Sequence, residues 1–178
     1  MNDYTEKTLK REDIYVGRII TVHSDTVELC NGKTAGREVV DHRGGVSVVP
    51  VDGDGNVYLV RQYRYPVGDF LVEIPAGKLE AGEEPLTCAI RELSEETGFT
   101  AEKIEFLGQI WPTPGYCGEK LHIYMATGLQ PGKTHPDEDE FLDVMKIPLE
   151  KAYAMAISGE LSDAKTVIGL CRAYAKLK

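Results

Sequence analysis

The chain has 178 residues and a formal net charge of −9. This length predicts one compact domain, with room for a small appendage. No run of about 18 apolar residues is present, so we expect no membrane span, and the polar N-terminus predicts a cytoplasmic protein without a secretory signal. The acidic balance argues against broad nucleic-acid binding, which depends on basic patches. It does not exclude a small anionic substrate, because metal ions and local arginines reverse the field.

The N-terminal part predicts a small antiparallel sheet. Residues 1–12 are polar and predicted to be loose, the predicted strands are 15–20, 26–29 and 37–40, and a turn is predicted at 23–25. A sheet of about three strands buries little apolar surface by itself. We therefore expect this segment to pack against the main body or against a partner chain.

The remaining sequence predicts an α+β fold with a mixed sheet between helices. Residues 44–51 form a nearly continuous β-branched run, typical of a central strand, and residues 57–64 are predicted to return as its paired strand. The other predicted strands are 70–77, 104–111, 121–129 and 141–148, and the predicted helices are 85–97, 149–158 and 162–177.

The predicted helix at 85–97 carries an unusual density of acid. Pro85 suits the first helical turn, and Gly98 suits the residue just past the end. Spacings of three and four predict an apolar face formed by Leu86, Ala89, Ile90, Leu93 and Thr97. The same helical geometry places Glu92, Glu95 and Glu96 together on a different face.

Three neighbouring carboxylates on one helix need an explanation. Like charges four residues apart destabilise a helix by about 0.2–0.5 kcal/mol per pair, and Arg91 can pair with only part of the cluster. A hard divalent cation such as Mg²⁺ prefers oxygen ligands and would neutralise the cluster. The alternative is a solvated acidic helix face, which is the default interpretation of an isolated run of glutamates.

The wider spacing favours the metal interpretation. Gly77 is followed after five residues by Glu83, after seven more by Arg91-Glu92, and then by Leu93, Ser94, Glu95-Glu96, Thr97, Gly98 and Phe99. This order resembles the Nudix box, and the chain resembles Nudix hydrolases over most of its length. The resemblance implies a Nudix-type α/β/α sandwich for residues 42–178, after N-terminal antiparallel strands in residues 1–41 that serve in dimerisation.

The resemblance also assigns roles within the box. The implied metal ligands are Glu92 and Glu96, with Glu95 assisting, and the backbone carbonyl of Ala76. The ions would be Mg²⁺, with Mn²⁺ as an alternative, two or three in number. Glu83 and Arg91 would organise the cluster, Arg91 through a charge-assisted fork to a box carboxylate.

A second acidic segment, HPDEDEF, lies between the last two predicted strands. Four consecutive acids would normally indicate a solvated loop. In the ADP-ribose pyrophosphatases of the Nudix family, however, a mobile loop at this place carries the catalytic glutamate. The resemblance therefore implies Glu138 as the general base and Glu140 as an extra metal ligand, in addition to the catalytic glutamates of the box.

Further residues favour the ADP-ribose branch of the family. Pro114 lies 15 residues past Phe99, close to the marker proline of that branch. The alternative is that Pro114 only stiffens a turn. The resemblance implies that Arg64 contacts the diphosphate, that Glu73 contacts adenine or neighbouring polar structure, and that Arg37 reaches a substrate in a partner subunit.

The predicted reaction is therefore Mg-dependent hydrolysis of the diphosphate bond of ADP-ribose to AMP and ribose 5-phosphate by a homodimer. One alternative is a Nudix enzyme for a nucleotide sugar, a dinucleoside polyphosphate or an oxidised nucleotide. The other is a non-catalytic nucleotide sensor on the same fold. Such a sensor would be expected to lack box glutamates, and none is missing from this sequence.

Overall fold

A computed structural model describes residues 2–134 and 141–178. The strands in this part of the chain are β1 (Lys7–Val16), β2 (Ile20–Glu28), β3 (Thr34–His42), β4 (Gly45–Pro50), β5 (Asn56–Arg64), β6 (Asp69–Glu73), β7 (Ala76–Lys78), β8 (Phe99–Ile110), β9 (Leu121–Pro131) and β10 (Leu142–Pro148). The helices are α1 (Pro85–Thr97), α2 (Leu149–Ser158) and α3 (Ala164–Leu177). None of these helices is long and apolar enough to cross a membrane.

The chain folds as two compact units. One unit contains the chain up to Gly44 together with Trp111–Lys120, and the other contains Gly45–Ile110 and Leu121–Lys178. The division of the chain into residues 1–41 and 42–178 stays a prediction.

In the first unit, β1, β2 and β3 form an antiparallel sheet in that order, and every residue of β1 is exposed. The predicted three-stranded sheet is confirmed, but three local predictions are wrong. Residues 7–12 belong to β1, and residues 23–25 lie inside β2. The predicted strand at 15–20 is interrupted at residues 17–19, where the chain turns from β1 into β2 and the Gly17 N–H donates to the Ile20 carbonyl at 2.9 Å. In the strand His23 is buried, and its Nδ1 lies 2.8 Å from Asp25 Oδ1, which gives that nitrogen a polar partner inside the strand.

The segment Trp111–Lys120 is bound to the outer edge of β3. The Val40 N–H donates to the Tyr116 carbonyl at 2.8 Å, and the Gly118 N–H donates to the Val40 carbonyl at 3.0 Å. Pro114 lies in this segment, which is therefore anchored to the N-terminal sheet.

The second unit contains two sheets. One has the order β7-β4-β9-β8, with β4 parallel to β9 and antiparallel to β7, and the other has the order β10-β5-β6. The predicted pairing of residues 57–64 with residues 44–51 is wrong, since the described pairing between these segments is an isolated bridge between Val57 and Val51, the residue that follows β4. Both edges of β4 are occupied by β7 and β9, so β5 pairs with β6 and β10 instead.

Alternation along β4 divides the core of this unit. Val46 and Val48 pack in a cluster with Ala89 and Leu93 of α1. Val49 packs in a second cluster with residues of α2 and α3. Because successive strand residues point to opposite faces, α1 covers one face of the sheet and α2 with α3 covers the other. The predicted α/β/α sandwich with a mixed sheet is confirmed.

Helix α1 begins and ends where the sequence predicts. Gly98 follows it in the left-handed conformation, with φ 72°, and donates its N–H to the Ser94 carbonyl at 2.9 Å. The predicted apolar face is only partly correct, because Leu86 and Ile90 are about half exposed. The helix instead buries Cys88, Glu92 and Glu96 beside Ala89, Leu93 and Thr97. The buried face of α1 therefore includes two of the box carboxylates.

Candidate active site

The site is built where β7 meets α1. Glu96 is only 2% exposed, and its Oε2 accepts a hydrogen bond from the Ala76 N–H at 3.0 Å. A backbone donor to a buried carboxylate stabilises the charged form. This bond fixes one box glutamate against the backbone of the residue that also carries the predicted carbonyl ligand.

Gly77 lies directly against a second box glutamate. A Cβ on Gly77 would lie 1.7 Å from Oε1 and 1.8 Å from Cδ of Glu92. Among the described residues, Gly77 is not one of the glycines with positive φ. The glycine is therefore required by the close approach of the carboxylate, and not by a special backbone conformation.

Arg91 holds three of the box glutamates. Its Nε and Nη2 donate to the two oxygens of Glu83 at 3.1 and 3.2 Å. Its Nη1 donates to Glu92 Oε1 at 2.7 Å and to Glu95 Oε2 at 2.9 Å. The hydrogen bond to Arg91 lowers the pKa of Glu83 to about 2, and the same bond raises the pKa of Arg91. The guanidinium thus acts as an internal counter-ion for the three carboxylates.

Cys88 sits beside this network but has no chemical activation. The sequence predicts a packed or partly exposed thiol, and the structure buries it completely. Burial raises the pKa of Cys88 to about 12, although the nearby Arg91 lowers it. Since the thiolate is the reactive form, Cys88 is a packing residue of α1.

The donor chemistry of the site suits a hard divalent cation. Glu92 and Glu96 bring carboxylate oxygens to the same short segment of β7, and Mg²⁺ prefers such oxygen ligands. Within residues 2–134 and 141–178, no three His, Cys, Asp or Glu side chains are grouped so that they could hold a metal ion alone. A complete ligand set would therefore also use the Ala76 carbonyl, or Glu140, which lies outside the described residues.

A second cluster of charges lies on β5, β6 and α3. Glu73 is 1% exposed, and its Oε1 and Oε2 accept hydrogen bonds from Arg64 Nε at 2.7 Å and Arg64 Nη2 at 2.8 Å. The Lys165 ammonium also binds Glu73 Oε2. Burial alone would raise the pKa of Glu73, but Arg64 and Lys165 outweigh it and lower the pKa. Both oxygens of Glu73 are thus engaged by cations of the protein.

This cluster lies within electrostatic reach of the box. The fork to Glu73 raises the pKa of Arg64 most strongly, and the negative charge of Glu96 adds to the rise. Arg64 therefore interacts electrostatically with both the buried Glu73 and Glu96 of α1. Its side chain is 37% exposed, so a ligand can reach it.

The sequence prediction missed Lys165. A lysine in the first turn of a helix is unfavourable for the helix dipole, which prefers acids there. That conflict was the available signal, because a cation in such a place needs a carboxylate nearby. The long-range contact with Glu73 could not be read from the sequence.

The remaining predicted site residues are Arg37, Pro114, Glu138 and Glu140. Arg37 and Pro114 belong to the N-terminal unit, where Arg37 Nε donates to Glu6 Oε2 at 2.9 Å. Glu138 and Glu140 lie outside the described residues. The roles assigned to these four residues, and the catalytic and metal-binding roles of the box glutamates, stay predictions.

The fold and the site define a class. A mixed sheet between helices, with a glycine-led segment packed against a helix of glutamates and one arginine, is a Nudix architecture. The NUDIX domain model matches residues 41–168, and the model of the nucleoside diphosphate sugar hydrolase N-terminal domain matches residues 6–40.

Individual relatives agree with this class. The chain is 43% identical to an ADP-ribose pyrophosphatase of Bacillus subtilis, over 100% of this chain and 96% of that protein. It is 42% identical to a methanol dehydrogenase activator of Bacillus methanolicus, over 94% of this chain and 91% of that protein. The crystal structure of an ADP compounds hydrolase superposes with a TM-score of 0.87 and 27% identity, covering 99% of this chain and 97% of the other. The chain belongs to the NUDIX family and is a Nudix hydrolase.

Proposed function

We propose that this Nudix hydrolase cleaves the diphosphate bond of ADP-ribose to AMP and ribose 5-phosphate. The observation that carries the proposal is the junction of β7 and α1, where Ala76 holds Glu96 and Gly77 admits Glu92. The relative from Bacillus subtilis, whose printed name is ADP-ribose pyrophosphatase, supports the choice of substrate because it matches the chain over its whole length.

The proposed cation site consists of Glu92, Glu96 and the Ala76 carbonyl, with Glu95 and Glu140 as further ligands. Two or three Mg²⁺ ions, or Mn²⁺ in their place, would neutralise the charge of the diphosphate and would lower the pKa of a bound water. Arg91 holds Glu92 and Glu95 in place by hydrogen bonds. The carboxylates of the site would repel an anionic substrate unless cations are bound to them.

Two further residues complete the proposed chemistry. Arg64 would donate from its exposed edge to a non-bridging oxygen of the diphosphate, since its other edge is committed to Glu73. Glu138 would accept the proton of the attacking water, a contribution typically of about 10²–10⁴-fold.

We also propose a homodimer. All ten residues of β1 are exposed, among them Ile14, Tyr15 and Val16, each more than half exposed. A strand with this much exposed apolar surface is typical of one covered by a partner chain. Arg37 would then reach the substrate bound to the partner, and Pro114 would act in substrate choice.

The free cysteines, including the exposed Cys30, support a cytoplasmic location.

Steady-state kinetics of glutamate-to-glutamine variants test the proposal. Glu96→Gln should lose at least about 100-fold in kcat on ADP-ribose with Mg²⁺, while its melting temperature stays near that of the parent, because the amide oxygen can still accept the Ala76 N–H. Glu138→Gln should lower kcat with metal binding retained. Glu160→Gln, which changes an exposed acid, is the matched control and should retain full activity. Unchanged turnover in Glu96→Gln would refute the proposed site.

A nucleotide sugar is the second candidate substrate. It is favoured by the match of residues 6–40 to the N-terminal domain model of nucleoside diphosphate sugar hydrolases. The same assay, run on ADP-ribose and a panel of nucleotide sugars with Mg²⁺ and with Mn²⁺, separates the two candidates. A higher kcat/KM on a nucleotide sugar than on ADP-ribose would assign the chain to the second candidate.

A further inference from the structure

The N-terminal turn of α3 binds the segment that leads into the active site. The Ile74 N–H donates to Thr166 Oγ1 at 2.9 Å, and Thr166 Oγ1 in turn donates to Asp163 Oδ2 at 2.5 Å. Lys165 extends from the same turn to the carboxylate of Glu73. Two successive residues of the chain, 73 and 74, are thus fixed by one helical turn, only two residues before Ala76.

Lys165 and Arg64 share a single acceptor. Arg64 Nη2 and the Lys165 ammonium both bind Oε2 of Glu73, whereas Oε1 accepts only the Arg64 Nε among the described residues. Because both oxygens of Glu73 are bonded and Oε2 has a second cation, rotation of the carboxylate is restricted. Its plane therefore sets the plane of the Arg64 guanidinium through the two-bond fork.

Lys165 also balances the charges that act on Arg64. The carboxylates of Glu73, Asp163 and Glu96 all act electrostatically on Arg64. Lys165 lies against two of them, since its ammonium is 3.0 Å from Asp163 Oδ1 and is bonded to Glu73. Without Lys165, Arg64 would be left as the neutralising partner of both acids and would attract a diphosphate less strongly.

We propose that Lys165 is a positioning residue for substrate binding, which fixes Glu73 so that Arg64 presents its exposed edge to the diphosphate. The inference rests on the proposed function, because it takes Arg64 as the diphosphate contact. Lys165 itself is only 10% exposed and touches carboxylates on two sides, so it acts through Arg64 and does not bind substrate.

A double-mutant cycle of Lys165→Met and Arg64→Met, measured on ADP-ribose, tests this assignment. Lys165→Met should raise KM about tenfold or more while kcat changes less than about threefold, since a contact made equally in ground and transition states is lost. In the Arg64→Met background the same change should alter KM less than about twofold, because residues that act as one unit are not additive. If the effects of the two substitutions on KM multiply, the proposal is overturned and Lys165 is a purely structural residue.

The control comes from the same helix. Lys176→Met removes an exposed lysine of α3 that pairs with Glu105 at 3.3 Å, far along the helix from Glu73, and should leave KM unchanged. If Lys165→Met does not fold, Lys165→Gln repeats the cycle with a neutral side chain that keeps a donor. An equal rise of KM in Lys176→Met and in the Lys165 variant would also overturn the proposal.

A crystal structure of the Lys165 variant separates this inference from the proposed function. The Arg64 Nε to Glu73 Oε1 distance, now 2.7 Å, should open or the fork should rotate away from its present plane. An unchanged fork overturns the role of Lys165 whatever the substrate is. A parent protein that fails to cleave ADP-ribose would instead refute the proposed function, and the geometry of the fork would still decide the role of Lys165.

Discussion

Gly77→Ala provides the sharpest test of the site geometry. The new Cβ would lie 1.7 Å from Oε1 and 2.3 Å from Oε2 of Glu92. Because non-bonded carbon atoms rest about 3.5–4.0 Å from their neighbours, the carboxylate must withdraw by roughly 1.5–2 Å. The backbone need not move, since the obstacle is the end of a flexible side chain and Gly77 does not have a positive φ.

The cost to stability should be modest. Withdrawal breaks the bond of 2.7 Å between Arg91 Nη1 and Glu92. Hydrogen bonds to charged groups contribute about 1.5–3 kcal/mol, and the loss is offset by about 0.4–1 kcal/mol because alanine restricts the unfolded chain. A net loss of about 1–2 kcal/mol lowers the melting temperature of a chain of this size by about 2–8 °C.

The cost to activity should be much larger. A misplacement of about 1 Å in a catalytic group costs about 10²-fold, so kcat/KM on ADP-ribose should fall at least 100-fold in a protein that remains folded at 25 °C. Gly53→Ala is the matched control, because a Cβ there meets no atom within 4 Å and its φ is not positive. If Gly77→Ala keeps kcat/KM within about threefold of the parent, the position of Glu92 does not matter for catalysis. If Gly77→Ala unfolds, movement of the Glu92 side chain does not relieve the clash.

Two further predictions concern the charges of the box. The pKa of Glu83 is lowered from 4.5 to about 2 by Arg91, so its carboxylate stabilises the fold above about pH 4.5 and this contribution is lost as the pH falls toward 2. Urea unfolding should therefore find Glu83→Gln less stable than the parent at pH 7, with a difference that narrows below about pH 4.5; a difference independent of pH would contradict the fork. EDTA should abolish turnover but lower the melting temperature by less than about 5 °C, because each of the two or three cations adds only about 0.4 kcal/mol at a concentration near its Kd, and Arg91 already neutralises part of the cluster. Collapse of the fold in EDTA would show that metal, and not Arg91, holds the box together.

Local signals in the sequence predicted some elements well. The bounds of α1 follow from Pro85 and Gly98, which act within one turn of the helix ends. The β-branched run of β4 predicted a fully buried strand, and all six of its residues are buried. In both cases the deciding interactions lie within a few residues along the chain.

Predictions that depend on distant partners failed. The pairing of β4 with β9 joins Gly45 to Leu121, and no short-range pattern reveals such a parallel contact. The buried face of α1 was misassigned because the burial of Glu92 and Glu96 depends on β7, which supplies the Ala76 N–H and the space above Gly77. A hydrophobicity pattern assigns glutamate to the surface, because it contains no information about a backbone donor that a distant segment provides in the interior.

The role of Arg91 changes how the acidic helix should be understood. Like-charge repulsion between the glutamates suggests that metal cations are needed to stabilise α1. The single side chain of Arg91, however, pairs with Glu83, Glu92 and Glu95. Glu96 is fixed separately by the Ala76 N–H. The protein therefore supplies its own counter-charges for the shape of the box, and the proposed divalent cation would be needed only for the chemistry. Glu92 Oε1 accepts a hydrogen bond from Arg91, so a cation that binds this oxygen must compete with the guanidinium. This competition would weaken cation binding in the absence of substrate. The negative charges of a bound diphosphate would strengthen it.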